Sequence, residues 1–261
     1  MGTDITDSSH RRQIPTIALS AHWHTYPERF RWIAEHGFAL EYSPNPEAFE
    51  ALPQHIDPML QAGMAVRYHG FFPNHEIGHQ DATIAEHALQ VQMTALEAMH
   101  GRGEQVITVH IGLDRKAPLD LGRILDNLAR LAERARDLGI TACLENLRRG
   151  PTSDPETVLE WARESGAMIT LDIGHAVSCQ RVQRGELTAL DFVDMFAGRL
   201  VEVHMYERES DRHHPPQDMT VLGPIVSRLL TTQCTWWTIE LNDTAEALAT
   251  RALLLDYLSS I

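Results

Sequence analysis

The sequence predicts a single-domain α/β fold, a (β/α)₈ barrel. Three observations point there. Eight short runs rich in β-branched and apolar residues recur along 261 residues, and helical patterns fill most of the intervals between them. Acidic or histidine residues close nearly every run, and the carboxyl ends of the strands are where such a barrel builds its chemistry.

The runs are IALSAHW (17–23), FALEYSP (38–44), MAVRYHG (64–70), QVITVHIG (105–112), ITACLEN (140–146), MITLDIG (168–174), LVEVHMYE (200–207) and WWTIELN (236–242). Helical patterns occupy 27–35, 79–101, 118–138, 154–164, 187–197, 220–230 and 243–259. The connection over 46–61 contains Pro46, Pro53 and Pro58 and reads as a short irregular crossover. Ser153-Asp154-Pro155-Glu156 reads as a helix cap and first turn, and Gly139 as a natural helix stop. A doubly wound open sheet is the competing architecture. Its dinucleotide-binding form wants a glycine-rich loop after the first strand, and HTYPERF stands there instead.

The barrel is expected over 15–261, with 1–14 a flexible leading segment. MGTDITDSSHRRQ has no apolar stretch of the kind an export signal needs, and no run has membrane-spanning length. Cys143, Cys179 and Cys234 are odd in number and widely spaced, which fits a reducing, cytoplasmic setting. A net charge of −14 argues against a broad nucleic-acid surface, although a local patch or metal cluster offsets such a field.

The fifteen histidines are the anomaly. On the barrel reading His69, His110, Glu145, Asp172, His204 and Glu240 fall at the ends of strands three to eight. His175 lies just past Asp172, and Asp211, His213 and His214 follow strand seven. A lone histidine at a strand end is more often a hydrogen-bonded loop residue than a ligand, and a lone carboxylate often caps the next helix. Three carboxylates set in apolar strand sequence and converging with imidazoles are different, because buried charges need partners. A divalent ion meets that need, and carboxylate plus imidazole suits Mn, Co, Zn or Mg. Glu145, Asp172, His204 and Glu240 are the expected ligands of one ion.

The segments CLEN, TLDIGHA, VEVHMYE and TIEL resemble the xylose-isomerase-like barrel superfamily, which includes sugar isomerases and epimerases and the endonuclease IV class. The resemblance implies one shared divalent ion at the mouth. It further implies that Glu145 and Glu240 remove and return a proton beside a carbonyl while the metal stabilises the enediolate. His175 takes the place of a histidine that contacts substrate oxygen. The nuclease branch implies up to three zinc ions: His69, His110 and Glu145 for one, the four ligands above for a second, and His175, Asp211 and His213 for a third. DRHH matches the Asp-Arg-His element of that branch. Against it stand short first and second connections with few positive charges. The loop YHGFFPNHEIGHQD also differs from the family segment, and HPPQDMTVLGP replaces a glycine-rich turn. A small-substrate isomerase or epimerase is the preferred expectation. A phosphoester hydrolase and a noncatalytic metal-binding barrel are the alternatives, and a homodimer or homotetramer is expected by analogy.

Glu41, Arg67, His69, Arg148 and Phe71 are the residues expected to bind substrate, and others to shape the pocket around them. Arg67 faces the same way as His69 by the strand period and pairs with Glu41 or with a substrate anion. Arg148 and Arg149 suit an anionic group, and Phe71, Phe72 and Trp23 an apolar wall. Trp236 and Trp237 are expected at the opposite end, closing the bottom or meeting a partner subunit.

Overall fold

Residues 14–261 are described by a computed structural model. The expected leading segment therefore falls, apart from Ile14, outside the described residues. Eight strands close a parallel barrel: β1 (Thr16–His22), β2 (Ala39–Ser43), β3 (Val66–Gly70), β4 (Val106–Val109), β5 (Thr141–Glu145), β6 (Met168–Asp172), β7 (Leu200–Met205) and β10 (Trp236–Ile239). Each pairs with the strands beside it in the sequence, and β1 closes the ring by pairing with β10. The two remaining strands, β8 (Arg208–Glu209) and β9 (His213–His214), form a small antiparallel hairpin over the mouth side. No helix among the described residues is long and apolar enough to cross a membrane.

The helices are α1 (Glu28–Glu35), α2 (Leu52–Gln61), α3 (Ala82–Met99), α4 (Leu121–Asp137), α5 (Pro155–Ser165), α6 (Ile173–Ser178), α7 (Gln180–Gln183), α8 (Ala189–Phe196), α9 (Leu222–Leu229) and α10 (Thr244–Ser260). Their amphipathic spacing turns one stripe to the barrel. In α4, Ile124, Leu128, Leu131 and Ala135 are buried, each large aliphatic chain contributing about 1.5–3 kcal/mol. Gly139 adopts φ +70° at the stop after α4, and Asp154 with Pro155 opens α5.

The second connection is more regular than its prolines suggest. Pro53 sits in the first turn of α2, where no intrahelical donor is needed. Pro58 lies inside the helix and deprives the Gln54 carbonyl of its usual partner, and the Tyr26 hydroxyl donates to that oxygen at 3.3 Å.

The barrel floor is apolar, with Ala18, Ala39 and Trp236 packed together. Above it the interior is polar but internally partnered. The Arg67 guanidinium lies 4.5 Å over the Trp236 ring, donates to the Val201 carbonyl at 3.1 Å and meets Glu202 Oε2 at 3.4 Å. The hydroxyls of Thr108 and Thr170 bond at 2.7 Å. Trp236 thus closes the barrel bottom from within, and Trp237 is fully buried in the main core.

Candidate metal centre

Strand alternation sends the last inward side chain of each strand to the mouth. His69 of β3, Glu145 of β5, Asp172 of β6 and His204 of β7 arrive there, joined by His110 just past β4 and Glu240 just past β10. All six are buried.

Two groupings share one carboxylate oxygen. Nδ1 of His204 lies 3.4 Å from Glu145 Oε2, 3.5 Å from Glu240 Oε1 and 3.9 Å from Asp172 Oδ2. The same Glu145 oxygen is 3.4 Å from His69 Nε2 and 2.9 Å from His110 Nε2. Nδ1 of His204 and Oε2 of Glu145 are buried without a hydrogen-bond partner. Such orphaned atoms are costly unless something else satisfies them. Donors about 2.1 Å from a common ion at tetrahedral angles stand about 3.4 Å apart. The sets here whose donor atoms lie within 4.8 Å of one another are Glu41, His69, His204 and Glu240, then His69, His110 and Glu145, then Glu145, Asp172 and His175, so the four expected ligands are divided between neighbouring sets that could each hold a cation.

The surroundings brace the donors. Asp172 caps α6, Oδ1 accepting the His175 amide at 2.6 Å, while Oδ2 accepts the Tyr206 hydroxyl at 2.9 Å. Asn146 exchanges two hydrogen bonds of 2.9 Å with the Asp172 backbone, tying the ends of β5 and β6 together. Tyr206 stacks on His213 with centroids 3.9 Å apart, and Nδ1 of His213 lies 2.8 Å from the Glu240 carbonyl. Gly174 permits this: a Cβ there would stand 1.9 Å from the Tyr206 ring.

Burial and charge act together here. Burial opposes the charged form of His175, but Asp172, Glu145 and Glu209 push its pKa up to about 10. Burial likewise opposes charge on His204, and Glu240, Glu41 and Glu145 raise it well above the ordinary imidazole range. Burial would raise Glu145, yet His110 and His204 hold it well below the usual carboxylate range. Glu240 is driven the other way by burial, reinforced by Glu145, Glu41 and Asp172 against His204.

A cavity of about 390 Å³ opens above the donors, lined by His69, His110, Glu145, His175, His213 and Glu240 together with mouth residues. Phe71 is 38% exposed and lines it. Other expected residues lie elsewhere. Glu41 is fully buried, does not line the cavity, and meets His204 Nε2 at 2.9 Å. Arg67 is held in the lower barrel by Glu202, Val201 and Trp236. Arg148 lines the cavity but is engaged with Glu209, its Nε 2.9 Å from Oε2, and donates to the Glu209 and Ser210 carbonyls.

The third expected grouping is assembled with one change. His175 and His213 come together with Glu209, while Asp211 is 86% exposed and bonds Ser210. Sequence reasoning did not single out Glu209, Tyr206, Asn146 or Arg115 for the site. Arg115 lines the cavity together with His22, and burial with the nearby His69 and His24 lowers His22 to about 4.

Comparison with known proteins agrees with the architecture. Residues 30–257 match the family model described as xylose isomerase-like TIM barrel. The uncharacterized protein MJ0008 of Methanocaldococcus jannaschii is 35% identical over 158 residues, 60% of this chain and 68% of that protein. The crystal structure of a D-tagatose 3-epimerase-like protein superposes with a TM-score of 0.74 at 19% identity, covering 94% of this chain and 97% of the other. Endonuclease IV from Thermus thermophilus gives 0.67 at 13% identity, covering 95% and 100%. At such identities the two structures speak for the fold alone. On the family match, the chain belongs to the xylose isomerase-like TIM barrel family.

Proposed function

We propose that this protein is a divalent-metal-dependent enzyme of the isomerase or epimerase type. Its substrate on this reading is a sugar or related small polyhydroxy carbonyl compound, and the reaction moves a proton on the carbon beside the carbonyl. The pair Glu145 and Glu240 carries the reading. Both line one cavity and face His204 Nδ1, with the His69 ring between them at 3.4 Å from each. Two carboxylates flanking one space suit proton removal on one side and return on the other.

An ion held by Glu145, Asp172, His204 and Glu240 would polarise the carbonyl oxygen and acidify the neighbouring C–H bond. Glu145 accepts the proton as that bond breaks, and Glu240 delivers one to the carbon. His175, its Nδ1 3.0 Å from the Asn146 carbonyl, offers Nε2 to a substrate hydroxyl. Phe71 supplies an apolar wall, and the cavity volume suits a monosaccharide-sized ligand. The D-tagatose 3-epimerase-like protein that shares this fold is named for chemistry of the same class.

A second reading, multi-zinc phosphoester hydrolysis, is favoured by one observation. His69, His110 and Glu145 form one further ligand set, and His175, Glu209 and His213 another. Close cations bear the charge that develops on a phosphoryl group. Incubating the Mn- or Zn-loaded protein with a panel of ketoses in D₂O, followed by NMR, separates the readings. Deuterium appearing beside the carbonyl, and absent with Glu240→Gln, is the expected result. Hydrolysis of bis(p-nitrophenyl) phosphate without exchange on any ketose would replace the first reading by the second. Bound metal without either reaction would leave a noncatalytic metal-binding barrel.

A further inference from the structure

Beneath the donors lies a carboxylate that touches neither the cavity nor solvent. Glu41, in the middle of β2, is fully buried. Its Oε1 stands 2.9 Å from His204 Nε2, and its Oε2 faces His69 Nδ1 at 3.7 Å with no hydrogen-bond partner. The far nitrogens of the same two rings, His204 Nδ1 and His69 Nε2, each lie 3.4 Å from Glu145 Oε2. One carboxylate below and one carboxylate oxygen above therefore bracket two imidazoles in nearly mirror-related fashion.

We infer that Glu41 is the positioning residue of the metal centre, its Oε1 accepting the Nε2–H of His204 so that Nδ1 of that ring turns its lone pair towards Glu145, while Oε2 stands beside His69 as a charge too distant to accept a hydrogen bond. An imidazole has one donor and one acceptor nitrogen when neutral, so fixing the donor end fixes which atom can bind a cation. An anionic acceptor also makes the ligating nitrogen more basic. No other described carboxylate reaches both rings on the side away from Glu145. Glu240 Oε1 also lies 3.4 Å from His69 Nδ1, but it faces His204 Nδ1 too and belongs to the upper set. A further polar layer lies below Glu41. Its strand neighbour Arg67 holds Glu202, which also accepts the Thr238 hydroxyl at 2.8 Å, so a cation and donors lie close beneath it.

The inference rests on His204 as a metal ligand, which the isomerase and hydrolase readings share. The test measures Zn²⁺ affinity and stoichiometry by competition with a chromophoric chelator, alongside the visible spectrum of the Co²⁺-loaded protein. Wild type, Glu41→Gln and Glu41→Leu are compared, with circular dichroism as the control for folding. The expected result is a loss of about 10- to 100-fold in Zn²⁺ affinity for both variants, with an altered Co²⁺ spectrum and a retained fold. Glu41→Gln, close in shape to the native residue, keeps the test decisive should Glu41→Leu not fold. Affinity within about threefold of wild type together with an unchanged Co²⁺ spectrum would overturn the role of Glu41 alone. A wild type that takes up no ion would overturn the metal centre and this inference with it.

Discussion

Nε2 of His69 and Nε2 of His110 stand 3.1 Å apart, and each also faces Oε2 of Glu145. Two ring nitrogens at that separation must share a proton or a cation. Nδ1 of His110 already points at the Gly70 carbonyl, 3.4 Å away, which leaves Nε2 as the free lone pair. On the multi-zinc reading, replacing His110 by Ala lowers the bound-metal count by about one ion per chain while the ion at His204 stays; on the one-ion reading the count is unchanged and the pair shares a proton. Elemental analysis after dialysis against Zn²⁺ reads this directly. A count unchanged in the His69→Ala, His110→Ala double variant would mean that this pair holds no ion.

Metal uptake should be strongly pH-dependent. His204 and His175 are both raised by neighbouring carboxylates, so the metal-free protein holds protons there at neutral pH. A cation binding at His204 must displace its proton, and affinity is therefore expected to rise with pH. Calorimetry in buffers of different ionisation enthalpy should detect net proton release on the order of one per ion near neutral pH. Affinity that does not change between about pH 6 and pH 8 would contradict a protonated His204.

The same shifts bear on the stability of the metal-free protein. His175 is raised in the folded state from 6.5 to about 10. Its contribution is thus complete below about pH 6.5 and is lost as pH climbs towards 10. Thermal melts of the metal-free protein should fall across that window, and His175→Gln should flatten the fall. An equally steep decline in the variant would assign the effect to other groups.

What the sequence discloses and what it hides follow from the range of the interactions. Strand alternation and the eightfold rhythm are local, so the barrel and the position of Glu145, Asp172, His204 and Glu240 at or just past its strand ends were legible in the residues themselves. The helix Leu52–Gln61 was not, because the group that tolerates Pro58 is a tyrosine hydroxyl 28 residues away from the carbonyl it satisfies. Glu209 and Asp211 are likewise indistinguishable by spacing, each an even number of residues from His213. Only the hairpin decides between them, pairing Glu209 with His213 and leaving Asp211 at the exposed turn. Glu41 looked like a pocket residue because its partner lies 163 positions away across the closed barrel.

Glu76 braces the cavity from outside. This buried residue accepts the Gly112 amide at 2.6 Å and the Gly78 amide at 3.0 Å, joining the loops after β3 and β4. Glu76→Ala strands both donors and is expected to cost about 2 kcal/mol, or roughly 4–8 °C in melting temperature for a chain of this size. Because Gly112 and Arg115 line the cavity, any measured KM should rise more than kcat falls. A melting temperature within a degree of wild type would show that water replaces the carboxylate at no cost.

Gly174 gives the sharpest link between packing and chemistry. A methyl group there would meet Tyr206 ring carbons at 1.9–2.4 Å, and the ring has nowhere to retreat because His213 is stacked on it at 3.9 Å. Gly174→Ala must therefore push Tyr206 away, breaking the hydroxyl bond that holds Asp172 Oδ2. Overpacking of this severity is expected to cost about 3 kcal/mol. It should weaken Zn²⁺ binding as well, since the displaced ring frees a carboxylate that faces His204. Tyr206→Phe separates the two effects: it removes the hydroxyl bond and keeps the ring. Its metal affinity should fall towards that of Gly174→Ala with a much smaller loss of stability. If Tyr206→Phe binds Zn²⁺ like wild type, the hydroxyl does not orient Asp172, and the effect of Gly174→Ala on metal must come through the backbone of α6.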